Sequence, residues 1–196
     1  MNLRAATEAD AGQIARVHVL AWQEAYGGIL PEEFLASLSV DRRREMWQSQ
    51  LADPGLASGI FVVASQEGHV VGFSSAGPAR GEGLDSDGEV YAIYLLASHQ
   101  RRGFGRALFH AAANSLYQLG LRSMLLWVLK DNPSRGFYEH LGGRVFREQS
   151  LEIGSNQYLE VAYGWPDLAT LLLLPSAPPQ SRPPNNSLEP TWPARS

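Results

Sequence analysis

Gln100-Arg101-Arg102-Gly103-Phe104-Gly105 separates the apolar run Val90-Tyr91-Ala92-Ile93-Tyr94-Leu95-Leu96 from the stretch Arg106 to Leu119. The first run reads as a strand. In the second, Phe104, Leu108, Ala111, Ser115 and Leu119 recur at helical spacing, which predicts a helix packing one face on a sheet. A glycine-rich turn from strand to helix leaves backbone N–H groups pointing outward at a helix N-terminus, where the helix dipole favours negative charge. Gly103 and Gly105 allow a diphosphate to approach the backbone, and Arg101, Arg102 and Arg106 add positive charge around the turn. The expected ligand is a phosphorylated cofactor.

Several loops of this kind exist. A P-loop requires G-x-x-x-x-G-K-[ST], and no lysine follows these glycines. A dinucleotide fingerprint wants a third small residue and an acid after the next strand. Here Leu108 stands at the third position and the next apolar run, Met124 to Leu129, leads into Lys130. A third pattern, Q/R-x-x-G-x-G/A, is matched at Gln100, Gly103 and Gly105; a turn whose glycines merely start a helix is the remaining reading. A second segment bears on the choice. Asn132-Pro133-Ser134-Arg135-Gly136-Phe137-Tyr138-Glu139-His140-Leu141-Gly142-Gly143 follows the strand-like Met124-Leu125-Leu126-Trp127-Val128-Leu129. Taken together and in this order, the two segments resemble the motifs of the GCN5-related N-acetyltransferase (GNAT) family, across about residues 1–167 and most strongly 88–143. Ala97 stands where many members have proline, and Asn132 precedes Tyr138 by six residues where many have seven.

Bulk properties fit that resemblance. At 196 residues with 44% hydrophobic and 10% aromatic content, the chain suits one packed domain with appendages. A net charge of −4 gives no sign of a nucleic-acid surface. The absence of cysteine excludes disulfides, a thiol nucleophile and cysteine-based metal sites. His18, His69, His99, His110 and His140 form no metal-binding spacing, so no metal is expected. The N-terminus lacks a signal-peptide core and Leu171 to Leu174 is too short to span a bilayer. A cytoplasmic protein without membrane or nucleic-acid partners is the expectation.

Along the chain, Leu3 to Ala6 reads as a strand and Thr7-Glu8-Ala9-Asp10 as a capping-box-like start. The helix that follows carries Ile14, Val17, His18 and Ala21 on one face and stops at Gly27-Gly28. Short helices are predicted from Pro31 and over Val40 to Leu51. Ile60 to Ala64 and His69 to Phe73 form a hairpin, and Arg144 to Ile153 pairs with Tyr158 to Trp165. Seven of the twelve prolines lie in Pro175 to Ser196, so residues 1–167 are assigned to the domain and 168–196 to a Pro-rich disordered tail.

The resemblance implies an α/β architecture of the α+β type: a mixed, mostly antiparallel central sheet flanked by helices and split at the cofactor-binding strands. It implies acetyl-CoA as cosubstrate, with the pyrophosphate on Gln100, Arg101, Arg102, Gly103, Phe104, Gly105 and Arg106. The pantetheine arm would run along Ile93, Tyr94 and Leu95 like an added strand, with Asn132 beside it. A bulge near Leu95 would free an N–H for the thioester oxygen. Glu89 is the implied base, with Glu24 and Asp87 as competitors. An alkyl amine is about 0.1% neutral at pH 7, so its deprotonation costs roughly 4 kcal/mol. Tyr138 is the implied acid. With ordinary pKa values, full proton transfer to a thiolate is uphill by roughly 2 kcal/mol, so a hydrogen bond that strengthens as charge develops is its natural role. Without cysteine the simplest acyl-enzyme route is absent, which favours direct transfer in a ternary complex.

Glu82, Asp85, Asp87 and Glu89, with Glu32 and Glu33, suggest an acidic acceptor cleft suited to a cationic amine such as an aminoglycoside or polyamine, and hence a link to antibiotic resistance. A peptide or amino-acid acceptor fits the same fold. A non-catalytic acyl-CoA sensor is the alternative from another class, disfavoured because a pure binder needs neither Glu89 nor Tyr138. Homodimers are common in the resembled family, although no stretch here identifies an interface.

Overall fold

The computed structural model describes residues 2–81 and 86–173. β-Branched and aromatic runs become strands: β1 (Asn2–Ala5), β2 (Ile60–Ala64), β3 (Val70–Pro78), β4 (Gly88–Leu95), β5 (Met124–Leu129), β6 (Arg144–Ile153) and β7 (Asn156–Trp165). They form one sheet in the order β1-β2-β3-β4-β5-β7-β6. β4 and β5 are parallel and every other neighbouring pair is antiparallel, as expected. The parallel pair is joined by a crossover through α5 (Phe104–Gln118).

The sheet is covered on both faces. On one, α5 buries Leu108, Phe109, Ala112, Ala113 and Leu116. This stripe is rotated from the expected one, because Leu119 lies past the end of the helix and is 54% exposed. On the other face, α1 (Ala11–Tyr26) and α3 (Val40–Ala52) enclose Ile14, Trp47, Ile60, Val62 and Phe73. The turn before α1 closes as expected, with Thr7 N and Oγ1 both donating to Asp10 Oδ2. Three short helices complete the domain: α2 (Glu32–Ala36), α4 (Pro54–Ala57) and α6 (Arg135–His140). A further helix, α7 (Leu168–Leu173), carries the folded part beyond the expected boundary at 167, because Leu168 and Leu171 are buried in the core under α5. The rest of the expected tail, 174–196, lies outside the described residues. No described helix is long and apolar enough to cross a membrane.

The site is made where β4 leaves β5. The two strands pair only at Gly88↔Met124 and Glu89↔Leu125. Just beyond, the β3–β4 register shifts between Ser75 and Ala76, leaving Tyr91 as an extra residue in β4. A bulge bends and twists its strand, which turns β4 away from β5. The bulge therefore lies at Tyr91 and not near Leu95, which remains in register with Gly72. Close packing holds it there: Tyr91 Oη donates to Pro78 O at 2.6 Å, with the ring over Gly77.

Candidate active site

In the open half of β4, alternation decides what faces the split. Leu96 N donates to Val71 O on β3 at 3.0 Å, so the backbone groups of Leu95 and Ile93 point the other way, into the gap left by β5. Gln100 Nε2 donates to Leu95 O and ties the following loop to this edge. Tyr94, between them, sends its ring to the α1 face, stacked on His18 at 5.3 Å. Ile93, Tyr94 and Leu95 thus line a cleft of about 220 Å³ whose far wall carries Asn132, Ser134 and Tyr138.

At the mouth, Glu24 Oε2 accepts from Ala97 N, fixing the start of the loop to α1. Arg101 has φ 58°, a left-handed conformation that costs a non-glycine residue energy, and Gly103 caps α5 with φ 83°. This pair of left-handed residues turns the chain into the first turn of α5 with its amides outward. Arg102 lies over the Phe104 ring, while that ring packs with Leu108 against the sheet. Gly105 faces Phe137, whose ring would touch a Cβ there at 3.4 Å, so the two sequence motifs meet in space.

Asn132 is buried and its Oδ1 accepts from Ser134 N at 2.8 Å, turning the chain into α6. That helix presents Tyr138 to the cleft. Burial pushes the Tyr138 phenol well above its ordinary pKa, and neighbouring Tyr26 acts in the same direction. The phenol stays protonated and is a hydrogen-bond donor. No described residue hydrogen-bonds it from the protein side.

Glu89 is 3% exposed and carries a partner that the sequence did not suggest. Arg80 N and Nε donate to its Oε2 at 3.0 and 3.2 Å, and Arg80 Nη2 pairs with Oε1. Arg80 also lies over the Tyr91 ring at 4.1 Å. Of the competitors, Asp87 accepts from Arg122 N and Ser123 N, a structural tie at the strand ends. Glu82 and Asp85 lie outside the described residues.

A second, wider cleft of about 460 Å³ adjoins the first and shares Tyr26, Tyr94 and Trp127 with it. Glu89 and Arg80 stand in its wall with Trp22 and Glu160. Sequence reading singled out Glu89 but missed the other three. The one available signal was Glu160, an acid within the run Tyr158 to Trp165 whose neighbours Val161, Ala162 and Tyr163 are fully buried. No group of metal-binding side chains occurs among the described residues.

Comparisons with known proteins agree with this layout. The FR47-like protein family model matches residues 79–151, which hold the split strand, the glycine loop and α6. The uncharacterized N-acetyltransferase YuaI of Bacillus subtilis (strain 168) is 40% identical over 174 residues, covering 89% of this chain and 98% of that protein. Among solved structures, the PaiA N-acetyltransferase of Thermoplasma acidophilum in complex with coenzyme A superposes with a TM-score of 0.63 at 18% identity, covering 81% of this chain and 96% of that one. YncA of Salmonella typhimurium, solved with its cofactor acetyl-CoA, gives a TM-score of 0.62 at 20% identity, over 92% and 99% of the two chains. At these identities the structural likeness speaks for the fold.

Proposed function

The chain belongs to the GCN5-related N-acetyltransferase family, a family of acetyl-transferring enzymes, and we propose that it moves an acetyl group from acetyl-CoA directly to a primary amine on a cationic small molecule such as a polyamine or aminoglycoside. The observation that carries this reading is the opening of β4 from β5 immediately after Glu89↔Leu125, with Tyr138 in the wall of the gap.

The residues present fit the cosubstrate. The backbone groups of Ile93 and the N–H of Leu95 face the gap, with Leu95 O held by Gln100, and offer an edge to which an extended amide-bearing arm can add as a strand. The left-handed turn at Arg101 and Gly103 aims amides at a pyrophosphate, with Arg101, Arg102 and Arg106 as neighbouring cations. Acetyl-CoA supplies an acyl group activated as a thioester. Everything else is the work of the chain's own residues. Backbone N–H groups on the open edge of β4 donate to the carbonyl oxygen as it gains charge. Glu89 takes one proton from the acceptor's ammonium, through water where Arg80 covers its oxygens, while Arg80 holds the carboxylate in place; the neutral amine then forms the C–N bond, and as the C–S bond breaks the nitrogen's second proton passes through water to the departing thiolate. Tyr138 donates a hydrogen bond to the departing sulfur. The buried aromatic walls exclude bulk water and strengthen each of these interactions.

The test is thiol release from acetyl-CoA against polyamines, aminoglycosides, amino acids and peptides. With no cysteine in the chain, the protein adds no thiol background. The expected result is turnover with one amine class and initial-rate lines that intersect as both substrates are varied. Parallel lines would overturn direct transfer, and tight coenzyme A binding without turnover on any amine would overturn the enzymatic reading.

A further inference from the structure

Glu160 is the buried acid in the wider cleft that the reaction scheme does not use. Its residue is 9% exposed, yet among the described residues no arginine, lysine or histidine lies within ion-pairing distance of it. Among the described residues its side-chain hydrogen bond comes from Gln149 Nε2 to Oε1 at 2.6 Å, and no described donor reaches Oε2. Glu89, the other acid of the cleft, is already neutralised by Arg80. Oε2 is open to the cleft rather than sealed in the core, and a cation entering the cleft is its natural partner.

The sheet sets the spacing. Glu89 lies opposite Leu125 and Glu160 opposite Leu129, so both acids share a face of the sheet with Trp127 between them. Four residues along β5 correspond to about 13 Å along the strands, and the two strand spacings from β4 across β5 to β7 add about 9.6 Å sideways, so the two backbone positions lie roughly 16 Å apart. Trp22, Tyr26, Tyr94 and Trp127 line the cleft along this path and offer aromatic faces to methylene groups and ammonium ions. We infer that Glu160 binds a second ammonium group of the acceptor while the first is acetylated at the Glu89 end, which assigns the acceptor to the linear diamines and polyamines. This inference rests on the amine-acetylating reading above.

The experiment compares spermidine and a linear α,ω-diamine with the monoamine of the same chain length. Thiol release is measured for the wild type, Glu160→Gln and Glu160→Asp, and binding is followed by the fluorescence of Trp22 and Trp127. The wild type is expected to prefer the diamine by at least about tenfold in kcat/KM, the scale of one hydrogen-bonded charge. Glu160→Gln should bring the diamine-to-monoamine ratio close to one and abolish saturable quenching by spermidine, and Glu160→Asp should give an intermediate ratio. A wild-type ratio near one overturns the inference and leaves the acetyltransferase reading intact, and it depends on no variant. A ratio that Glu160→Gln leaves unmoved does the same. Saturable, Glu160-dependent spermidine binding without turnover of any amine would instead uphold the anchor and overturn the catalytic reading.

Discussion

Tyr138 and Glu89 are single side chains that take opposite tasks in the proposed reaction. Burial raises the phenol of Tyr138, so complete proton transfer to a thiolate is further uphill than ordinary pKa values suggest. Under the proposed mechanism its contribution is a hydrogen bond that strengthens as charge builds on sulfur. Tyr138→Phe is therefore expected to lower kcat by about a hundredfold, with little change in the affinity for acetyl-CoA. The loss should be nearly the same at every pH below 9 or so, because the phenol does not titrate in that range. A steady-state pH profile checks this, and a loss confined to alkaline pH would contradict it. Glu89→Gln removes the base but keeps the size of the side chain and leaves Arg80, whose side chain is 65% exposed, free to turn to water. We expect about a hundredfold loss in kcat/KM near neutrality. That deficit should shrink as pH approaches the amine's own pKa, where the acceptor arrives neutral. A deficit constant up to that pH would assign Glu89 a structural role.

At the scale of elements, the glycine loop and the start of α5 act as one unit. Gly103 sits at φ 83°, where a side chain costs about 1–2 kcal/mol. Gly103→Ala should lower the melting temperature slightly and weaken acetyl-CoA binding by about tenfold, because relief of the strain rotates the amides of the first turn. Calorimetric titration and a thermal melt measure the two effects, and an unchanged affinity would remove the loop from the binding site. This loop was legible in the sequence as a turn because glycines at fixed offsets separate an apolar strand-like run from one with helical spacing. β2, β5 and β6 were legible to the residue because uninterrupted apolar or alternating runs end at turn residues. Other features depend on tertiary contact and leave no local mark. The bulge at Tyr91 arises from packing over Gly77, and Arg80 reaches Glu89 from nine positions earlier in the chain. α7 is apolar enough to be noticed, yet only its burial under α5 distinguishes it from the proline-rich stretch that follows. The wider cleft was missed for the same reason: its aromatic walls come from α1, β4 and β5, and no sequence window contains them together.

For the molecule as a whole, acid sensitivity follows from a histidine that takes no part in the proposed reaction. His18 is buried between α1, α3 and the sheet, where Nδ1 accepts from Trp47 Nε1 at 3.2 Å and the ring stacks on Tyr94. Burial, with nearby Arg43 acting in the same direction, lowers its pKa from 6.5 to about 3. In the unfolded chain the imidazole binds a proton below about pH 6.5, whereas the folded protein refuses it until about pH 3. The unfolded state thus holds more protons in this window, and stability present above pH 6.5 falls as the solution is acidified. The slope is roughly 1.4 kcal/mol per pH unit once the unfolded imidazole is protonated. Asp10 adds a second loss at lower pH. The Arg4 hydrogen bonds hold its carboxyl at about 2 against an ordinary 3.8, so the stability it contributes above that value disappears as pH falls through the interval. Urea denaturation between about pH 7 and about pH 4 should show the His18 slope in the wild type. His18→Leu leaves Trp47 Nε1 without its acceptor and should cost about 1–3 kcal/mol at neutral pH. In the same variant the slope above about pH 4 should flatten, because the group that discriminates between folded and unfolded states is gone. If wild type and variant lose stability in parallel across that range, the core accommodates the protonated ring and another group sets the acid limit.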